Sequence, residues 1–168
     1  MKCSIKKFSE MYETVYRDLY RYALCLMKNP QEAEDAVSEA VIAAYENIHK
    51  LKKEEAFKSW IFTILTNKCK KRLKKALKEE PGREEELPEQ PVVPDYDLAM
   101  DVRKAFFVLS EEEQILVGLS IFGGYCSQEI GEMMRLNPNT VRSKRSRALK
   151  KMECVLGSYG EDEKERRE

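Results

Sequence analysis

The sequence predicts an all-α chain: two small helical domains joined by an acidic, proline-rich linker, with the C-terminal domain a helix-turn-helix. Three observations carry this. Apolar residues recur every three or four positions, and no stretch alternates as a half-buried strand would. Residues 79–94 break that rhythm with four prolines and a glycine. Cap signals mark several helix starts on either side of the break. A chain of 168 residues has a prior of about one domain, with room for two small ones. Hydrophobic residues at 42% are enough to build cores even though 36% of the residues are charged, so wholesale disorder is excluded.

In the first helix Phe8, Met11, Val15, Leu19, Ala23 and Leu26 lie on one face. Asn29 and Pro30 restart the chain. Asn suits the cap, Pro suits the first helical position, and Glu32 stands where a capping box needs it. The second helix turns Ala33, Val37, Ala40, Val41, Ala44 and Ile48 inward. A third begins near Glu54 and buries Phe57, Trp60, Ile61, Ile64 and Leu65, then Leu73 and Leu77. The stretch that follows is an extended linker, because proline lacks a backbone donor and interrupts helices. The second domain starts near Asp95. Leu98, Val102, Phe106 and Leu109 make a short helical stripe, and Ser110 with Glu113 is a capping box opening a helix to about Phe122. Gly123 and Gly124 end it. A short helix runs from about Ser127 to Arg135, and Asn137 with Pro138 caps a last helix to about Val155. The expected layout is 1–79, helical domain; 80–96, linker; 97–157, helix-turn-helix domain; 158–168, charged tail.

The net charge is zero, which by itself argues against a nucleic-acid partner. Its distribution reverses the inference. Residues 1–80 carry +5, 81–113 carry −7, 114–156 carry +4 and 157–168 carry −2. Two basic folded pieces around an acidic connector suit two sites on one anionic partner, though ordinary alternation of charge on solvated faces would look the same. The longest charge-free run, Gln114 to Gln128, is shorter than the ~20 apolar residues of a membrane span, so no stable membrane insertion is expected. The opening residues lack the pattern of a secretory signal. The five cysteines include no C-x-x-C pair, which suits a reduced cytoplasmic setting. His49 is the only histidine, so a multi-histidine metal site within one chain is excluded. No cofactor is expected. A redox role for Cys126 is left open.

Three constellations carry chemistry. The segment from Gly124 to Met152 reads as helix, tight turn and capped helix. Ile130, Met133, Met134, Leu136, Val141 and Ala148 are its apolar contacts. The last helix opens with Asn137, Asn139, Thr140 and Ser143 and carries Arg142, Lys144, Arg145, Arg147, Lys150 and Lys151. That layout offers N-terminal side chains to base edges in a major groove while basic residues grip phosphates. A basic solvated helix in a small bundle is the plainer alternative. The second constellation is the third helix, where Lys68 to Lys78 hold seven basic residues after Phe57, Trp60 and Phe62. Basic groups track a nucleic-acid backbone, and aromatic and polar groups can hold an unstacked base. Phe57 and Trp60 sit on the buried stripe, which favours a core role for them over base contact. Lys58, Thr63, Thr66, Asn67, Lys70 and Lys71 suit exposed contacts better. The third constellation is the second helix, where Glu32, Asp35, Glu39 and Glu46 share one side with Ile42 among them. An apolar residue amid outward carboxylates fits a protein-docking surface.

In this order the three constellations resemble the sigma factors of bacterial RNA polymerase, in particular the small extracytoplasmic-function group. The resemblance covers nearly the whole chain. It rests on L-Y-R-Y-A from Leu19, E-A-E-D-A-V-S-E from Glu32 and F-K-S-W-I-F-T-I-L-T-N from Phe57. It rests equally on L-S-E-E-E-Q from Leu109, Q-E-I-G-E-M from Gln128 and N-T-V-R-S-K-R-S-R-A-L from Asn139. It implies that Asp35, Ser38, Glu39 and Ile42 dock on the clamp helices of the core polymerase. It implies that Lys58, Trp60, Thr63, Asn67, Lys70, Lys71 and Arg72 melt and capture the minus-ten element of promoter DNA. Asn137, Asn139, Thr140, Arg142, Ser143, Lys144, Arg147 and Lys150 would read the minus-thirty-five element, with the polymerase flap nearby. It further implies an anti-sigma partner and no catalytic residues. A stand-alone helix-turn-helix regulator is the alternative.

Four positions depart from the family pattern. Ser38 replaces a usual glutamine. Cys126 replaces a Ser or Thr cap, which predicts that Ser127 caps instead and shifts the helix start by one. Arg135 replaces a turn glycine, leaving the positive-φ residue unassigned. Arg145 stands at a usually aliphatic position, where it either snorkels or reaches DNA.

Overall fold

The structure is a computed structural model that describes residues 3–79 and 100–167, and the described residues fall into two units dividing between Pro91 and Val92. The expected linker and Leu98 lie outside the described residues. All regular structure among the described residues is helical, in agreement with the sequence.

The first unit holds α1 (Ile5–Met27), α2 (Pro30–Glu46) and α3 (Phe57–Glu79), with 3-10 turns at Ile48–Lys50 and Glu54–Ala56. Ser4 caps α1 by accepting from Lys7 N. Asn29 Oδ1 accepts from the amides of Gln31 and Glu32, and Pro30 takes the first helical position, where its missing donor costs nothing. Each helix packs on the other two. The stripe of α2 is small: Ala33, Ala36, Val37, Ala40 and Ala44 are buried, and such short side chains let helices approach closely. Into that space α1 sends Leu19, Tyr22, Ala23 and Leu26, and α3 sends Ile61, Phe62, Leu65 and Cys69. Phe8 meets Tyr45 and Phe57 edge to face, with centroids at 5.3 and 5.6 Å, which ties the start of α1 to the end of α2 and the start of α3.

The core of α3 differs from expectation toward its C-terminus. Trp60, Ile64 and Leu73 are only half-buried, Phe62 is wholly buried, and Leu77 is 68% exposed. Cys69 is the last buried residue of α3. Past Leu73 every described residue of α3 is exposed, so the apolar spacing reaches Leu77 without burying it.

The second unit holds α4 (Met100–Phe107), α5 (Glu111–Ile121), α6 (Ser127–Met134) and α7 (Pro138–Arg167). From Gln114 to Leu119 every residue of α5 is buried, as expected of a central helix surrounded by others. Gln114 Nε2 donates to the Phe106 and Leu109 carbonyls at and just past the end of α4, sharing Phe106 O with Leu109 N. Ser110 and Glu113 form the predicted capping box. The last helix runs twelve residues past the expected end at Val155. Its final stretch is charged and free of proline, and Gly157 and Gly160 do not interrupt it.

Candidate nucleic-acid interface

The bend between α6 and α7 is set by backbone. Leu136 N donates to Gly131 O at 2.8 Å, and a Cβ at Gly131 would lie 2.7 Å from the Leu136 carbonyl oxygen, so the turn requires glycine there. Arg135 itself takes the left-handed conformation, with φ 55°, at the position where a glycine was missed. Cys126 keeps the cap position of α6, contrary to the expected shift: Ser127 is buried as the first helical residue. Glu129 Oε2 accepts from Cys126 N at 2.8 Å, which fixes the boundary from the carboxylate side.

Across that turn α7 begins with a fixed set of polar contacts. Asn137 Oδ1 accepts from Asn139 N at 2.8 Å, and Asn139 Oδ1 accepts from Arg142 Nη1 at 3.0 Å. Asn137, Asn139, Thr140, Arg142, Ser143, Arg147 and Lys150 are all exposed, while Val141 and Ala148 face the core. Lys144 differs: it is half-buried, and its ammonium lies 2.7 Å from Glu112 Oε2 of α5. Lys151, one heptad on, meets Glu113 at 2.8 Å. Arg145 snorkels to α5, where Nη1 donates to Ser120 Oγ at 3.4 Å. The basic residues of α7 thus divide into an inward set holding α5 and an outward set.

In the first unit α2 and α3 bring two candidate surfaces together. Arg72 of α3 donates from Nη1 to Glu32 Oε2 at 2.7 Å and from Nη2 to Glu39 of α2. Glu32 therefore turns its carboxylate to Arg72, and the capping box expected at Asn29 gives way to a bridge between helices. Asn67 and Lys71 are exposed, and Lys58, Trp60, Thr63 and Lys70 are half-buried. The Thr63 hydroxyl donates back to Ser59 O at 2.8 Å. Thr66 is buried, so it leaves the set of exposed contacts. On α2, Asp35 is half-buried, Ser38 and Glu39 are exposed, and Ile42 is 58% exposed. Tyr45 was missed: it is 41% exposed and lies three residues beyond Ile42, on the same face, which was the available signal. Of the remaining thiols Cys69 is inert, because burial pushes it up to about 12.

Residues 11–79 match the family described as Sigma-70 region 2, and residues 100–152 match Sigma-70, region 4. Together these two matches span both units.

The chain belongs to the sigma-70 family.

It is similar to the ECF RNA polymerase sigma factor SigM of Mycobacterium tuberculosis, 26% identical over 89% of this chain and 77% of that protein. It is also similar to the RNA polymerase sigma factor SigV of Bacillus subtilis, 28% identical over 83% of this chain and 85% of that one. These relatives put it with the extracytoplasmic-function sigma factors. In fold it resembles the sigma factor RpoE solved in complex with the anti-sigma factor NepR from Bartonella quintana, with TM-score 0.80 and 22% identity over 91% of this chain and 98% of that one. In sigma-70 terms α2 and α3, with the Arg72 bridge, lie within region 2, and α6, the turn and α7 as far as Met152 lie within region 4. The family is one of transcription initiation factors. Among the described residues no helix is long and apolar enough to cross a membrane.

Proposed function

We propose that this sigma factor acts as a dissociable specificity subunit with no active site of its own, directing core RNA polymerase to promoters and opening them in the cytoplasm. The observation that carries this reading is the order of the two units: a region 2 unit with an acidic, apolar-centred face and a basic helix, then a region 4 helix-turn-helix. Asp35, Ser38, Glu39, Ile42 and Tyr45 dock on the polymerase clamp. Lys58, Trp60, Thr63, Asn67, Lys70 and Lys71 act on the minus-ten element, joined by Arg72 once it is released from its carboxylates. Asn137, Asn139, Thr140, Arg142, Ser143, Arg147 and Lys150 meet the minus-thirty-five element, and Lys144 joins them only by leaving Glu112. The units correspond to residues 1–79 and 97–157. The acidic segment 80–96 passes through the polymerase on the later path of RNA, and 158–168 is a charged tail. An anti-sigma protein covers these faces when the factor is idle.

A gel shift with a duplex promoter library tests this reading. The chain alone should bind weakly and without preference, and core polymerase plus chain should retain specific sequences. Tight specific binding by the chain alone would favour a self-sufficient regulator.

A further inference from the structure

The first cation of α7 is Arg142, one turn into the helix, and one neighbour holds it. Asn139 N is fixed by Asn137 Oδ1 at 2.8 Å, and Asn139 Oδ1 in turn accepts from Arg142 Nη1 at 3.0 Å. All three side chains are exposed, so the arrangement is not imposed by core packing. Of the cations that follow, Lys144 is engaged with Glu112, Arg145 with Ser120 and Lys151 with Glu113, while Lys150, two turns beyond Arg142, stands exposed. Arg147 Nε donates to Ser143 O at 3.4 Å.

A guanidinium offers five N–H donors in a rigid plane. Asn139 takes one, and a bidentate pair to guanine O6 and N7 needs two. The tether therefore leaves the reading edge available while restricting the plane in which it lies. Preorganisation of this kind favours binding by lowering the freedom lost on contact.

We propose that Asn139 is a positioning residue, whose side-chain carbonyl holds the Arg142 guanidinium in the orientation in which it reads a guanine of the upstream promoter element. The inference rests on α7 being the minus-thirty-five reader. Asn139 belongs to the minus-thirty-five set through Arg142 and not by a base contact of its own, so it sets base preference, not overall affinity.

The test uses the full chain with core polymerase, on promoters recovered by the wild-type holoenzyme and then re-randomised across the upstream element. Base preference at each position is read by sequencing the bound fraction, with core association and thermal melting followed in parallel. Arg142→Ala should erase a guanine preference at one position. Asn139→Ala should weaken that same preference on the order of tenfold, the scale of a bidentate contact, with other positions and core association unchanged. Asn139→Asp, which keeps an acceptor oxygen, should preserve it. Arg142→Lys, which keeps charge and loses the fork, should not.

The proposal is overturned if Asn139→Ala leaves the guanine preference intact, or shifts an adenine preference elsewhere while sparing it. It is overturned too if Asn139→Ala weakens every position equally with a lower melting temperature, the signature of a purely structural role. An unchanged element with Arg142→Ala would refute Arg142 as the reader while leaving α7 as the reading helix. A wild-type holoenzyme that selects no upstream element would refute the reading of α7 itself.

Discussion

Arg72 of α3 holds Glu32 of α2, Nη1 to Oε2 at 2.7 Å, and the same guanidinium also bonds Glu39. One residue thus joins the basic helix to the acidic helix, and it ties together two surfaces proposed to meet different partners. Burial opposes the charge of Arg72, but the two carboxylates outweigh that and hold it raised above its ordinary value. The carboxylates are nearly half exposed, so the bridge contributes modestly, about 1 kcal/mol for the whole arrangement after solvent screening.

Arg72→Ala should therefore lower the stability of the first unit by about 1 kcal/mol at low salt, and by less at 1 M salt, where the Debye length falls to about 3 Å. Chemical denaturation at the two salt concentrations measures this. A loss independent of salt would show that Arg72 acts by packing.

The pair Tyr22–Thr66 is a buried polar contact between α1 and α3, oxygen to oxygen at 2.8 Å. Thr66 donates its only proton to Phe62 O, so Tyr22 is the donor to Thr66. Burial drives the Tyr22 phenol far above its usual range, and it stays neutral at all working pH. Thr66→Val should cost about 1–3 kcal/mol by orphaning the phenol. Adding Tyr22→Phe should recover part of that loss. Additive losses in the double variant would refute the coupling.

Glu113 closes the α5 capping box and receives Lys151, and the Lys151 hydrogen bond is the main cause that lowers its pKa below the carboxylate norm. A carboxylate with a depressed folded-state pKa contributes stability above its unfolded value of about 4.3, and this is lost as pH falls through the folded value. Glu113→Gln should thus be less stable than wild type at pH 7, with the gap closing as pH drops below 4. A gap that is constant with pH would remove the charge from the explanation. Ser110→Ala at the same cap should cost about 1 kcal/mol.

Lys150 is exposed and Lys144 is bound to Glu112, so the two should differ on DNA. In holoenzyme–promoter binding, Lys150→Ala should flatten the salt slope by about 1, the loss of one phosphate contact. Lys144→Ala should change it less. Equal slopes for the two variants would show that Lys144 leaves Glu112 on binding.

Local signals made most of the helices legible in the sequence. Asn29–Pro30 and Ser110 with Glu113 announce helix starts because backbone donors there need acceptors close in sequence. Ile42 was legible as an apolar residue among carboxylates. Leu77 was not, because periodicity describes a helix and says nothing of where its neighbours end. The pairing of Arg72 with Glu32, and of Lys144 with Glu112, was not legible for a related reason. Their partners stand 40 and 32 residues away, and only packing of the helices reveals which charge turns inward. Arg135 shows the limit of residue preference: the turn needed a positive φ, and a non-glycine supplied it.

The central claim is that this chain confers promoter specificity on RNA polymerase, and run-off transcription with core polymerase and a promoter library tests it most directly. The account predicts discrete transcripts from a defined promoter class only when chain and core are both present, and their loss with Glu39→Lys in the docking face. Discrete transcripts from core polymerase without the chain, or none with it across the library, would contradict the account.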